Sequence, residues 1–221
     1  MGYPWVPVRA IVLPVKSLSG SKTRLSSILS TLERGALTLA MLEDVMDATQ
    51  SLSAWETWVV SPDEVVLEVA LRRGAHAIQE DKPPLANAIK QVEAEASARG
   101  SDALAVLLPD TPLVTPDVLM RALHTLGPVV IAPSLDESGT NLLVRRPPTA
   151  IPARFGSDSF RKHLEAAALA DLPSAVVELP ELAFDLDLPD DILTVLESRH
   201  RGRTRDVCLD MDLPSRIATR T

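Results

Sequence analysis

Residues 103–110 read "ALAVLLPD", an unbroken apolar run that ends in a proline and a carboxylate. A run this short, with no polar alternation, reads as a buried strand. Asp110 then stands at the end of the most hydrophobic strand in the chain. The same rhythm recurs on both sides. Upstream, "PPLANAIKQVEAEASARG" (83–100) is an Ala-rich helix stopped by Gly100. Before it, "ETWVV" (56–60) and "AHAIQ" (75–79) are strands. They flank a helix that starts at "SPDE", with Ser61 as N-cap and Pro62 at the first helical position, and stops at Gly74. "RAIVLPV" (9–15) is the first strand, and residues 31–50 form a helix opened by the capping box of Ser30 and Glu33.

Downstream, Thr115 and Pro116 open a helix over 115–126, and "PVVIAPS" (128–134) is a strand. Then the rhythm loosens. Strands are expected at 139–146 and 174–179, helices at 157–170 and 191–200, and a loop at "FDLDLPDD" (184–191). Repeated strand–helix pairs predict an α/β fold, a mostly parallel central sheet with helices on both faces. With neither a repeat nor a low-complexity linker, residues 1–200 read as one domain. Residues 201–221 read as a polar tail, mobile or loosely docked.

The 221 residues carry a net charge of −8, and 46% are hydrophobic but only 3% aromatic. The core is therefore built from Ala, Val, Leu and Ile, and Trp5, Trp55 and Trp58 read as packing residues. The acidic balance argues against nucleic-acid binding. No apolar run has the roughly 18 residues of a membrane span, and the start of the chain lacks a signal-peptide pattern. One cysteine, Cys208, suits a reducing compartment. The expectation is a cytoplasmic protein with neither a nucleic-acid nor a membrane partner.

Against that charge stands "LSGSKTRLSS" (18–27), with two cations, four serines and a glycine directly after the first strand. In open α/β sheets ligands bind beyond the carboxyl ends of the strands. Gly20 and the serines let a backbone approach closely, and Lys16, Lys22 and Arg24 supply positive charge. Polyphosphate matches such a loop, although neither a Walker nor a G-x-G-x-x-G motif is present. A solvated basic turn is the alternative.

Asp110 and Asp187 are two carboxylates placed to converge on the same crevice and hold Mg²⁺. If "FDLDL" is extended, period-two alternation puts Asp185 on the side of Asp187. Each has a competing reading as a cap. Gly139, Thr140, Gly156 and Ser159 offer donors for a small acid; ordinary turn and capping chemistry also explains the Gly156–Ser157 turn. The four histidines have no metal-ligand spacing, and His163 alone falls near the proposed site.

In this order, "PVKSLSGSKTRLSSILS", "MLEDVMDA", "VVSPDE", "LLPDTPLVTPD", "GTNLL", "ARFGSDSFRKH" and "FDLDLPDDI" resemble the 2-phospho-L-lactate guanylyltransferase family. That family includes the phosphoenolpyruvate guanylyltransferases of deazaflavin cofactor (F-420) biosynthesis. The resemblance implies a Rossmann-like nucleotidyltransferase domain of the nucleotide-diphospho-sugar transferase type. It implies transfer of GMP from GTP to 2-phospho-L-lactate, phosphoenolpyruvate or 3-phospho-D-glycerate, with release of pyrophosphate. By the same resemblance Asp110 and Asp187 bind Mg²⁺, and Thr140, Gly156 and Ser159 contact the acceptor's carboxylate. Lys16, Gly20, Lys22 and Arg24 face the GTP phosphates. Relatives often carry Leu-Asn after the third strand; here "PPLANAI" places the asparagine one residue later, at Asn87, which is assigned to the nucleotide. Related enzymes suggest a homodimer. Another nucleotidyltransferase of this fold, or a non-catalytic nucleotide-binding relative, is the alternative.

Overall fold

The structure, a computed structural model, describes residues 8–219, so Trp5 lies outside the described residues. Seven strands form one sheet: β1 (Arg9–Pro14), β2 (Glu56–Ser61), β3 (His76–Gln79), β4 (Ala103–Leu107), β5 (Val129–Pro133), β6 (Thr140–Arg145) and β7 (Ser174–Val176). Their order is β3-β2-β1-β4-β6-β5-β7. β1 lies parallel to β2 and β4, β2 to β3, and β5 to β7. Among the described residues β6 alone runs antiparallel, between β4 and β5. Its reversal places its first residue at the functional edge. Leu142 pairs with Leu107, and Thr140 with Pro133, so the amino end of β6 lies beside the carboxyl ends of β4 and β5.

The central strands are buried throughout, so successive side chains feed two different layers. Ile11, Leu13, Ala105, Leu107 and Val130 pack against α1 (Thr31–Gln50), α2 (Glu64–Arg72) and α4 (Pro116–Leu123). Ala10, Val12, Trp58 and Leu104 pack against α3 (Leu85–Ala98), and Val129, Ile131 and Leu143 against α5 (Ser159–Leu169). Both faces are thus covered. Among the described residues no helix is long and apolar enough to cross a membrane.

Local signals hold at several ends. The Ser30–Glu33 capping box opens α1, and Thr115 with Pro116 opens α4. One start differs from the expectation. Ser61 is the last residue of β2, paired with Gln79, so the cap of α2 passes to Asp63, whose carboxylate accepts from Val65 N–H at 3.1 Å. Two short helices, α6 (Pro180–Ala183) and α7 (Pro189–Glu197), follow β7, and α7 begins two residues earlier than its apolar spacing indicates.

The larger correction concerns the tail. Residues read as mobile form α8 (Arg203–Asp210) and α9 (Leu213–Ala218). Cys208 and Leu213 are fully buried, in a cluster with Leu25, Leu37, Met41, Phe184, Leu186 and Ile192. Burying a leucine contributes roughly 1.5–3 kcal/mol, and this cluster holds the charged segment down together with the cap of α8. The buried Asp44 carboxylate caps α8, accepting from Arg203 N–H at 2.7 Å and Thr204 N–H at 2.8 Å. Gly202 is required there, since a Cβ would stand 2.4 Å from Asp44 Oδ2. The tail thus packs on the same cluster that underlies the basic loop and the acidic 184–187 segment.

Candidate active site

A cleft of about 860 Å³ opens beyond the carboxyl ends of β1 and β4. The first loop forms one wall. It consists of two 3-10 turns, Leu18–Gly20 and Thr23–Leu25. Leu18 N–H donates to Asp63 Oδ2 at 3.0 Å, so the carboxylate that caps α2 also anchors this loop. Arg34, buried on α1, donates from Nε to Ser21 O and from Nη1 to Leu29 O, both at 3.1 Å. Between the turns Lys22 takes a left-handed backbone, φ 46°, a conformation that costs a non-glycine residue about 1–2 kcal/mol.

The ammonium of Lys22 donates to Asp110 Oδ2 at 2.9 Å and to Asp187 Oδ1 at 2.8 Å. Only 7% of its side chain is exposed. Burial works against its charge, but Asp110 and Asp187 outweigh burial and hold its pKa above the ordinary value. Arg24, mostly exposed, reaches Asp187 Oδ2 at 3.3 Å. Burial likewise opposes ionisation of Asp187, yet Lys22, then Arg24 and Lys16, hold its pKa below the usual carboxylate range.

Asp110 lies in the turn after β4, three residues beyond the last strand residue. Leu108 N–H donates to Asn141 O at 2.9 Å, fixing that turn to β6. Asp185 joins the pair: one carboxylate oxygen each from Asp110, Asp185 and Asp187 lies within 4.8 Å of the others. Burial, reinforced by the charges of Asp110 and Asp187, pushes Asp185 up to about 6 against the opposing help of Asn141 and Lys22. Asp110 Oδ1 is buried and has no hydrogen-bond partner among the described residues. Three crowded carboxylates and an orphaned oxygen are a donor set short of positive charge. Hard divalent cations take such all-oxygen sets, so the residues present fit one.

The opposite wall carries Ser138, Gly139 and Thr140, then Phe155, Gly156 and Ser159. Gly156 has φ +108°, open only to glycine at ordinary strain. Lys16, Gly20, Lys22, Arg24, Asp110 and Asp187 therefore share one cleft with Thr140, Gly156 and Ser159. Asn87 is placed elsewhere. It sits in the first turn of α3, exposed, and its amide donates to Pro83 O at 2.9 Å; from that region Leu85 lines the cleft.

Sequence reasoning missed Asn141 and Asp191. Asn141 Nδ2 donates to Leu182 O at 2.9 Å and Ala183 O at 3.0 Å, tying β6 to the approach of Asp185. Asp191 Oδ2 accepts from the N–H groups of Asp187 at 2.8 Å and Leu188 at 2.6 Å. It fills the capping role that the sequence also offers Asp187, and the Asp187 carboxylate faces the cleft, toward Lys22 and Arg24. Asp191 had a signal, an acid in the first turn after Pro189; Asn141 had none, because its partners are about forty residues away.

The chain matches the family model described as "Guanylyl transferase CofC like" over residues 9–208. It is 40% identical over 184 residues to the phosphoenolpyruvate guanylyltransferase of Rubrobacter xylanophilus, covering 82% of this chain and 90% of that one. It is 34% identical over 207 residues to the 3-phospho-D-glycerate guanylyltransferase of Phenylobacterium zucineum, covering 90% and 95%. A Desulfovibrio desulfuricans structure grouped with nucleotide-diphospho-sugar transferases superposes with a TM-score of 0.76 at 17% identity, over 96% of this chain and 97% of that one. At that identity the likeness speaks for the fold alone.

Proposed function

The chain belongs to the family of CofC-like guanylyl transferases, and from that premise we propose that it transfers GMP from GTP to the phosphate of a small phospho-acid. Phosphoenolpyruvate, 3-phospho-D-glycerate and 2-phospho-L-lactate are the candidate acceptors. An oxygen of the acceptor phosphate forms a bond to the α-phosphorus of GTP. The bond from that phosphorus to the bridging β-phosphate oxygen breaks, and pyrophosphate leaves with the electron pair. The product is a mixed diphosphate, the activated intermediate that the sequence resemblance assigns to F-420 biosynthesis.

One observation carries the reading: the Lys22 ammonium stands between Asp110 and Asp187 inside the cleft. The acceptor phosphate is largely a dianion near neutral pH, since its second pKa is about 6. It needs no strong base. The barrier is electrostatic, because a dianion must approach a polyphosphate. At 4 Å two unit charges still repel by about 4 kcal/mol at an effective dielectric of 20. Lys16, Lys22 and Arg24 offset that repulsion, and the backbone around Gly20 lets the phosphates come close. Asp110, Asp185 and Asp187 would hold Mg²⁺, which supplies charge neutralisation to the polyphosphate when bound. Thr140, Ser159 and the backbone at Gly156 receive the acceptor's carboxylate. Asn87 reaches the nucleotide only by giving up its bond to Pro83 O.

The free, buried Cys208 suits a cytoplasmic location, and the resemblance alone suggests a homodimer, which light scattering would test. The reaction itself is tested by pyrophosphate release with GTP, Mg²⁺ and each acceptor in turn. Release with GTP and at least one of the three phospho-acids is expected. Release only with CTP or a sugar phosphate would point to another nucleotidyltransferase, and no release with any pair to a non-catalytic relative.

A further inference from the structure

His163 lies on α5 with its side chain fully buried, and both ring nitrogens are engaged. The backbone N–H of Arg154 donates to Nε2 at 2.8 Å. A backbone amide nitrogen only donates, so Nε2 holds the lone pair, and in a neutral imidazole the proton then sits on Nδ1. Nδ1 is 3.0 Å from Thr140 Oγ1. The ring therefore donates, and the threonine oxygen accepts. Neutrality is well supported. Burial, then the nearby charges of Arg145 and Arg154, push the imidazole down to about 4. Phe155 packs edge-on against the ring, with 5.2 Å between ring centroids.

The consequence falls on Thr140, which lines the cleft beside Gly156 and Ser159. Its oxygen is committed to the imidazole. Among the described residues nothing accepts its hydroxyl proton. With the oxygen occupied on one side, that proton is turned away from the ring. The same histidine binds Arg154, so it also fixes the start of the 154–157 segment against β6. Two segments of one cleft wall, β6 and 154–157, thus meet on one side chain.

We propose that His163 is a positioning residue that makes Thr140 a committed hydrogen-bond donor to the acceptor's carboxylate. The inference rests on the reading of this end of the cleft as the acceptor's. A donating ring nitrogen excludes the rotamer in which Thr140 turns its own proton inward and presents lone pairs to an anion. Such an orientation would repel a carboxylate.

Two variants separate the two bonds. His163→Asn keeps an N–H near the Nδ1 position and loses the acceptor for Arg154. His163→Gln places an acceptor near the Nε2 position and loses the donor to Thr140. Turnover is measured with GTP and the acceptor the wild type uses. The expected result is an acceptor KM raised roughly tenfold in His163→Gln, held within about threefold in His163→Asn, with KM for GTP unchanged in both. In a Thr140→Val background His163→Gln should add nothing further. Equal rises in both KM values would reduce His163 to a packing residue and overturn the proposal. Should neither variant fold, the wild type still decides. Nitrogen-15 NMR of its histidines must show His163 protonated on Nδ1 and bare on Nε2 from pH 8 to pH 6; the opposite tautomer overturns the proposal. No pyrophosphate release by the wild type with any phospho-acid would instead fail the acceptor reading, and the inference with it.

Discussion

The backbone N–H of Leu186 donates to the carbonyl oxygen of Asp110 at 2.9 Å. One hydrogen bond thus joins the turn after β4 to the acidic segment some 75 residues later. Leu186 itself is fully buried beside Phe184 and Leu25, while its neighbours Asp185 and Asp187 face the cleft. Leu186→Ala should lower stability by about 2–5 kcal/mol. It should also reduce turnover, although it removes no group that touches a ligand. Denaturant unfolding and steady-state rates check both; an unchanged rate in a destabilised variant would show that the segment's packing does not position its carboxylates.

Lys22→Met removes the cation between Asp110 and Asp187 and keeps the length of the side chain. Turnover should fall about 10²–10³-fold, the range for loss of one preorganised donor. The three carboxylates would then lack their internal counter-charge, so Mg²⁺ should raise the thermal midpoint of the variant more than that of the wild type. A rate within twofold of wild type would remove Lys22 from the mechanism.

His163 makes stability depend on pH. Its folded pKa of about 4 lies below the ordinary 6.5. Between those values the unfolded chain takes up a proton that the folded chain refuses. Stability must therefore fall as pH drops through that window, by up to about 3 kcal/mol once both values are passed. Asp185, raised to about 6, acts in the opposite direction. The difference between wild type and His163→Gln isolates the histidine. Unfolding at pH 7 and pH 4.5 should show a wild-type loss that the variant lacks.

The C-terminal helices are structural, and their anchor is Asp44. Asp44→Ala strips the buried cap of α8 and should cost about 1–2 kcal/mol. Gly202→Ala should approach that loss, because the added methyl displaces the same carboxylate. Each is read by denaturant midpoints. Midpoints within experimental error of wild type would mean that α8 docks without its cap.

Much of this was legible from residue patterns. The apolar run 103–107 and the Ser30–Glu33 and Thr115–Pro116 signals are local, and local chemistry settled them. Asp110, Asp187 and Lys22 were legible as neighbours because strand ends in a parallel sheet share an edge. Asp185 followed from period-two alternation. What was hidden depends on partners far along the chain. Ser61 lost its capping role to pairing with β3. The direction of β6 leaves no mark in its own residues, yet it brings Thr140 to the cleft. The tail looked detached because its charges outnumber the few residues, Cys208 and Leu213 foremost, that bury it. Asn87 was assigned by resemblance, and the turn at Pro83 claims its side chain.

The central claim is that Asp110 belongs to a charge-deficient carboxylate cluster on which nucleotide transfer depends. Asp110→Asn keeps the shape and removes one negative charge. We predict that pyrophosphate release from GTP with the wild type's own acceptor and Mg²⁺ drops by at least about 10²-fold, while circular dichroism and the thermal midpoint show an intact fold. Full turnover by a folded Asp110→Asn protein would contradict the account.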